Sequence, residues 1–240
     1  MMKHSFFSIM LAFLSANIYS QNIQLHYDFG KQSDGLKRQF LVGTFEIFKP
    51  DSSGYTFFFT DMEFNSEDRP RGASLAYFEI SRTFTFPFFK NHNILKNLML
   101  HAEYNDGLAI FPLDTLITGT NLAAAWLGGI EYGIVKGGLS LNAMLMYKYT
   151  RISKAPDAQF TLSWYYPLME GKITLTGYFD LWSQDNGEGK KIPVFYSEPQ
   201  VWFYMTKKLA VGSEFKISKN FIPGSSRIEV FPTLGLRCDL

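Results

Sequence analysis

The chain has 240 residues, with 23 Lys and Arg against 22 Asp and Glu, a formal net charge of +1 and a single cysteine. Near-neutral charge without a Lys/Arg block gives no footprint for nucleic acid, and one Cys leaves no internal disulfide. No spacing of His, Cys or carboxylates resembles a metal site, so no cofactor is expected.

Lys3 and His4 open the chain, Phe6 to Ala16 is mostly apolar, and small Ser20 precedes polar Gln21 and Asn22. This is the layout of a secretory signal peptide, too short for a spanning helix, which needs ~18 or more apolar residues. The expected organisation is a signal peptide over 1–20 followed by one exported domain over 21–240.

From Gln21 onward apolar and polar residues alternate in stretches of about ten, each closed by a cluster of Gly, Pro, Asp, Asn or Lys. Strands are predicted over 22–29, 38–49, 55–64, 73–84, 97–105, 121–133, 139–150, 158–166, 172–183, 194–205, 209–218 and 226–238. A period of two sends successive side chains to opposite faces. In the first strand Ile23, Leu25, Tyr27 and Phe29 share one face, leaving Gln24, His26 and Asp28 on the other. The third strand is apolar on both faces: if Asp61 and Glu63 face inward, so do Phe57 and Phe59. The seventh alternates Leu139, Leu141, Ala143, Leu145, Tyr147 and Tyr149 with Ser140, Asn142, Met144, Met146, Lys148 and Thr150. In the ninth, Tyr178, Asp180 and Trp182 oppose Ile173, Leu175, Phe179 and Leu181.

A basic residue at mid-bilayer on a lipid face costs ~2–4 kcal/mol. Glu46, Asp61, Glu63, Glu79, His101, Glu103, Glu131, Lys148, Glu198, Arg227 and Glu229 are therefore assigned inward with His26 and Asp28. The fold class expected is all-β: one antiparallel transmembrane barrel of about twelve strands, with an acidic, wet lumen. An aromatic content of 17% supplies interfacial girdles. Connections after strands two, six, eight and ten are tight and those after odd strands mostly long, the alternation of periplasmic turns and external loops. The aromatic-rich 86–96 link breaks that alternation, and 106–120 is expected to be a long loop.

The segments Gln24 to Gly30, Phe45 to Asp51, Phe57 to Met62, Ala76 to Arg82, His101 to Gly107 and Ala125 to Gly129 together resemble a family of exported proteins of Bacteroidetes. That family in turn looks like the nucleoside-specific (Tsx-like) outer-membrane channels. The resemblance implies a narrow passive channel whose aromatic and ionisable lining holds nucleosides; it transfers no individual contact. The chain ends Arg237-Cys238-Asp239-Leu240, whereas many outer-membrane barrels end in an aromatic. Leu240 keeps an apolar terminus for the barrel-assembly machinery.

Three functions remain open. In a pore, Tyr77, Tyr165, Tyr178, Trp182, Trp202, Phe57 and Phe59 would offer stacking surfaces, and Asp28, Glu46, Asp61, Glu63, Glu79 and Glu103 would disfavour anions, with Glu131 and Asp180 also lining the lumen. In a plugged structural or adhesive barrel, Arg82, Lys148, Arg151, Lys216, Arg227 and Arg237 would pair with Glu79, Glu131, Glu214 and Glu229. In a hydrolase of outer-membrane lipid, His26 with Asp28 or His101 with Glu103 would supply base and orienting acid. Spacing of i, i+2 leaves ~7 Å along the strand, so a cross-strand partner is expected for either His. The preferred reading is a non-enzymatic monomer in the bacterial outer membrane, embedded in its lipid. It passes small polar solutes, nucleosides among the candidates. N-terminal sequencing of the exported protein should start at Gln21; a retained leader would remove the case for export.

Overall fold

The computed structural model describes residues 20–29, 41–64, 72–113, 116–150, 157–185, 190–222 and 225–240. Residues 1–19 of the expected signal peptide, Arg151 and much of three long connections lie outside them. The strands are β1 (Ser20–Asp28), β2 (Leu41–Asp51), β3 (Gly54–Phe64), β4 (Ala73–Thr85), β5 (Leu98–Leu113) and β6 (Leu116–Lys136). β7 (Leu139–Thr150), β8 (Asp157–Leu168), β9 (Ile173–Asp185), β10 (Lys191–Ser197 and Gln200–Tyr204), β11 (Leu209–Lys219) and β12 (Ile228–Asp239) follow. Each pairs antiparallel with its neighbours in sequence, and β12 returns to β1 through pairs such as Leu236 with Leu25. The result is a closed antiparallel barrel of twelve strands.

β10 is one strand in two segments. Ser197 opposite Phe179 and Gln200 opposite Thr176 keep the same register on either side of Glu198-Pro199. Pro199 has no N–H for the ladder, while the Glu198 N–H still donates to the Tyr178 carbonyl at 3.0 Å. Opposite the break, Gly177 has φ 144°, and a Cβ there would lie 2.4 Å from the Glu198 carbonyl oxygen. Only glycine fits that close approach.

Burial is inverted relative to a water-soluble domain. Gln24, His26, Thr83 and Glu131 have almost no accessible surface, whereas Leu145, Leu234 and Leu236 are more than half exposed. Outward-facing Ile23, Leu25, Ile80, Leu100, Ile130 and Val230 join them in a continuous apolar exterior. Among the described strands, outward ionisable side chains sit near the ends, as with Lys49, Arg82, Asp106, Lys136 and Lys219. Exposed Tyr27 and Trp126 near one end, with Phe84 and Phe203 near the other, supply aromatic rims. An apolar belt between aromatic rims is a lipid-facing surface.

Short turns gather at one end, where Ser20 and Leu240 also lie; the Leu240 N–H donates to the Gln21 carbonyl at 3.0 Å. Gly137 and Gly138 have φ of 59° and 84°, the left-handed pair of a two-residue hairpin turn. At the β2–β3 turn Arg82 donates to both oxygens of Asp51, at 2.7 and 2.9 Å. These bonds, with two from Ser53, hold the exposed Asp51 carboxyl well below the usual carboxylate range. Arg82 thus lies on the outer wall, away from Glu79 and the lumen.

The expected 106–120 loop is strand instead. Pairing continues from Gly107 opposite Leu122 to Leu113 opposite Leu116, after a register shift between Asn105 and Gly107. Asp106-Gly107 resembles a turn signal but marks a bulge: a Cβ on Gly107 would lie 2.7 Å from the Ala76 carbonyl oxygen. The 86–96 link contains short 3-10 turns, Pro87–Phe89 and Leu95–Asn97.

The exterior makes a direct expectation. Leu145, 58% exposed at the middle of β7, should tolerate apolar replacement, while Leu145→Arg should cost ~2–4 kcal/mol in urea unfolding from lipid vesicles.

Candidate functional site

Strand register carries the inner face around the barrel. Asn22 faces Glu46, Glu46 faces Phe59, Phe59 faces Glu79 and Glu79 faces Asn105. Directly opposed residues share a face. The same ladders put His26 with Glu63 through Val42, Asp61 with Tyr77, and Phe57 with Ser81. His101 follows Thr83, Glu103 follows Ser81, and Glu131 follows Met99. Tyr165, Tyr178, Asp180, Trp182 and Trp202 complete the set through β8, β9 and β10. Asp28 faces Thr233. Tyr165 is 49% exposed at the turn-end rim rather than deep in the lumen.

Two inner regions differ in packing. One is sealed. Asn22 donates to Glu46 (2.7 Å), Gln24 to Asn22 (2.8 Å), and His26 bonds Gln24 (2.9 Å) and Thr233 (3.0 Å). The His26 ring meets the fully buried Trp202 edge-on, with centroids 5.5 Å apart. Gly235 and Gly212 lie between their strands, and a Cβ on Gly212 would approach the indole to 2.5 Å. Two glycines in register therefore let an indole lie flat on the inner wall. Its Nε1 donates to Gln200 (2.9 Å), which donates to Glu214 (2.6 Å).

A second sealed cluster surrounds Glu131, which has no accessible surface. Tyr55 donates to one carboxylate oxygen (2.5 Å) and Thr83 to the other (2.9 Å), with His101 Nδ1 3.0 Å away. Tyr55 reaches Glu131 from three strands away, bridging the wall from β3 to β6. Such charge-assisted bonds offset the cost of burying a carboxylate.

The other region, where β3 and β4 confront β9 and β10, keeps accessible surface on Asp61, Tyr77, Glu79, Tyr178, Asp180 and Tyr196, while Glu198 is buried. Tyr77 donates to Glu79 (2.5 Å), Thr44 to Asp61 (2.5 Å) and Thr161 to Asp180 (2.5 Å). Glu198 accepts from Tyr178 (3.0 Å) and Tyr196 (2.5 Å), and Lys216 lies 3.6 Å from it and 3.9 Å from Glu214. Asp61 interacts electrostatically with Lys216 and Glu198 across the lumen, as Glu79 does with Asp180 and Lys148. Phe57 stacks near Phe59 (6.0 Å) and Phe59 near Tyr77 (5.9 Å), giving this wall an aromatic strip.

Toward the loop end, Lys148 sits 4.4 Å above the Trp182 ring and donates to Gln159. Phe221, 48% exposed, approaches Tyr196 (4.6 Å) and Trp182 (6.0 Å). It belongs to the connection after β11, held by Asn220 donating to the Pro193 carbonyl (2.8 Å). Sequence periodicity missed Phe221, because a ring folded inward from a loop has no strand parity. Tyr55, Thr83, Tyr196 and Gln200 also join the clusters without having been site candidates, as do Glu214 and Lys216, expected only as pairing groups of a plugged lumen. Their inward parity was the available signal.

Expected pairings need two further corrections. Both histidines have the expected cross-strand partners, Thr233 for His26 and Thr83 with Glu131 for His101. Neighbours at i, i+2 also bond directly, however: His101 Nε2 lies 3.4 Å from Glu103, alongside Tyr196 with Glu198 and Gln24 with His26. Long side chains leaning along the strand close the gap. Arg227 with Glu229 (3.6 Å) and Lys216 with Glu214 (3.9 Å) are expected pairs, whereas Arg237 pairs with Asp239 (2.8 Å). Glu79 and Glu131 take hydroxyl donors instead of the expected arginines.

These features have parallels. The sequence matches the domain of unknown function DUF5020 over residues 20–240. The chain belongs to that family. None of the curated proteins matches it. Among solved structures, a KdgM porin in complex with disordered oligogalacturonate is similar, with a TM-score of 0.50 at 9% identity, covering 92% of this chain and 99% of the porin. LpxR from Salmonella typhimurium has a TM-score of 0.48 at 7% identity, covering 91% of this chain and 99% of its own. The porin likeness agrees with an outer-membrane barrel fold and carries no activity with it.

The Glu131 cluster should be a stability determinant of the DUF5020 barrel. Glu131→Ala would leave Tyr55, Thr83 and His101 without their acceptor and should cost ~1–3 kcal/mol in urea unfolding. Ser140→Ala, on a partly exposed inner position, should cost far less.

Proposed function

We propose that this chain is a non-enzymatic channel of the bacterial outer membrane that passes small polar solutes and disfavours anions. The observation that carries it is the enclosed, acidic inner face along β3, β4, β9 and β10, where Asp61, Tyr77, Glu79, Tyr178 and Asp180 retain accessible surface inside a lipid-facing wall. Asp61, Glu79, Glu103, Asp180 and Glu198 greatly outweigh Lys148 and Lys216 in this region. A low-dielectric wall focuses that field on anything entering. Planar uncharged solutes, nucleosides among them, fit the rings of Trp182, Tyr196 and Phe221 near the loop end. Stacking is sequence-tolerant and contributes ~1–3 kcal/mol per base, weak enough for release.

A hydrolytic role has less support. Thr83, His101 and Glu103 line up like nucleophile, base and acid, with Thr83 Oγ1 3.1 Å from His101 Nδ1. Thr83 is fully buried, however, and its hydroxyl donates to Glu131, leaving no room for substrate. His26 is committed to Gln24 and Thr233. A plugged barrel is favoured by the sealing of the His26–Trp202 region and of the Glu131 cluster.

Planar-bilayer recording separates these. The refolded protein should give conductance steps with a reversal potential displaced toward cation preference under a salt gradient. Glu79→Gln with Asp180→Asn should reduce that displacement. Added nucleoside should lower the current, with roughly tenfold weaker block in Trp182→Ala, equivalent to ~1.4 kcal/mol. Absence of steps would favour the plugged barrel.

A further inference from the structure

We propose that the 86–97 connection is a phospholipid-anchoring lobe, immersing its rings in the leaflet at the turn end and placing lysines against lipid phosphates. Phe84 is an outward residue of β4, and Phe86, two positions on, is still in extended conformation, so the outer file continues into the link. Phe86, Phe88 and Phe89 form a compact aromatic cluster, with centroid distances from 4.4 to 5.8 Å.

The far end of the link also lies on the lipid side. Tyr132, an outward residue of β6, donates to the Ile94 carbonyl at 3.2 Å. His92 Nδ1 accepts from the Ile94 and Leu95 N–H groups at 3.2 and 3.0 Å, so the segment has its own internal order. Yet Phe88 remains 74% exposed and Ile94 63%. Two large apolar groups on an ordered lobe, continuous with the apolar belt, match a hydrocarbon boundary.

Charge selects the occupant. The link carries Lys90 and Lys96 with no acidic residue, and exposed Lys136 stands in the neighbouring turn. Aromatic rings with adjacent lysines suit an interface whose outer layer is phosphate.

The full barrel, refolded in vesicles, tests this directly. With Cys238→Ser as background, a spin label at Phe88→Cys should be more accessible to oxygen than to a water-soluble nickel chelate. A label at Lys207→Cys, in another turn, should show the reverse. Ile94→Cys supplies a second reporter should the first variant fold poorly. Replacing part of a phosphatidylcholine bilayer by phosphatidylglycerol should raise the unfolding temperature. Lys90→Gln with Lys96→Gln should abolish that rise. Free access of the chelate to both 88 and 94 would overturn the lobe's immersion. Spin–spin broadening there would assign the surface to a second copy instead. An unfolding temperature insensitive to anionic lipid, and unchanged in pure phosphatidylcholine by Lys90→Gln with Lys96→Gln, would overturn the phosphate contact.

Discussion

Hydrocarbon offers no partner to a backbone N–H or carbonyl, so a sheet can cross it only if every edge is paired. The β12–β1 ladder meets that condition, with Asn22 to Asp28 opposite Asp239 to Thr233. Every other feature depends on this closure. Once the sheet is a ring, alternation forces one set of side chains into lipid and the other into an enclosed space. Polar residues then have to satisfy one another or water within that space, which explains the density of hydroxyl–carboxylate bonds on the inner wall.

Closure also explains why so much was legible in sequence. Parity is fixed by a period of two, and a slip of one residue would put Glu79 or Glu131 in lipid. The inner files of β1, β7, β9 and β11 could therefore be read residue by residue. Strand ends were less legible, because lipid no longer imposes apolarity beyond the belt. Asp106-Gly107 carries turn chemistry, yet the hairpin continues past it with outward Asp106 accepting from Tyr104 at 2.7 Å. Phe221 was invisible for a related reason: its position depends on Asn220 and Pro193, which are distant in sequence and share no repeating pattern.

Pairing on the inner wall was legible only in outline. Sequence supplies the pool of carboxylates and bases, but register and side-chain lean decide which meet. Glu131 accepts from Tyr55 and Thr83 on two other strands and lies 3.0 Å from His101 Nδ1 on a third, with no arginine among these partners. Arg82 shows the converse. Its position on β4 places it outward, so it binds the carboxylate at the turn instead of one across the lumen. A count of acids and bases would have predicted neither.

The packing asymmetry bears on how a narrow barrel can remain stable and still hold water. A lumen filled on all sides would be a core, and one left open on all sides would lose cross-wall bonds. Here one arc is filled: Trp202 lies over Gly212 and Gly235, meets His26, and is fixed by Gln200 and Glu214. Elsewhere on the wall, half-buried carboxylates such as Glu79 and Asp180 bond mostly to hydroxyl groups on the same or an adjacent strand, as Tyr77–Glu79 and Thr161–Asp180 do. Such bonds leave lone pairs free to face water or a solute. Lys216 lies near Glu198 and Glu214, between the sealed Trp202 region and the accessible carboxylates. A cation there lowers the repulsion among the acidic groups without neutralising them. On the proposed channel reading, the lumen then stays acidic enough to attract cations while the barrel remains closed.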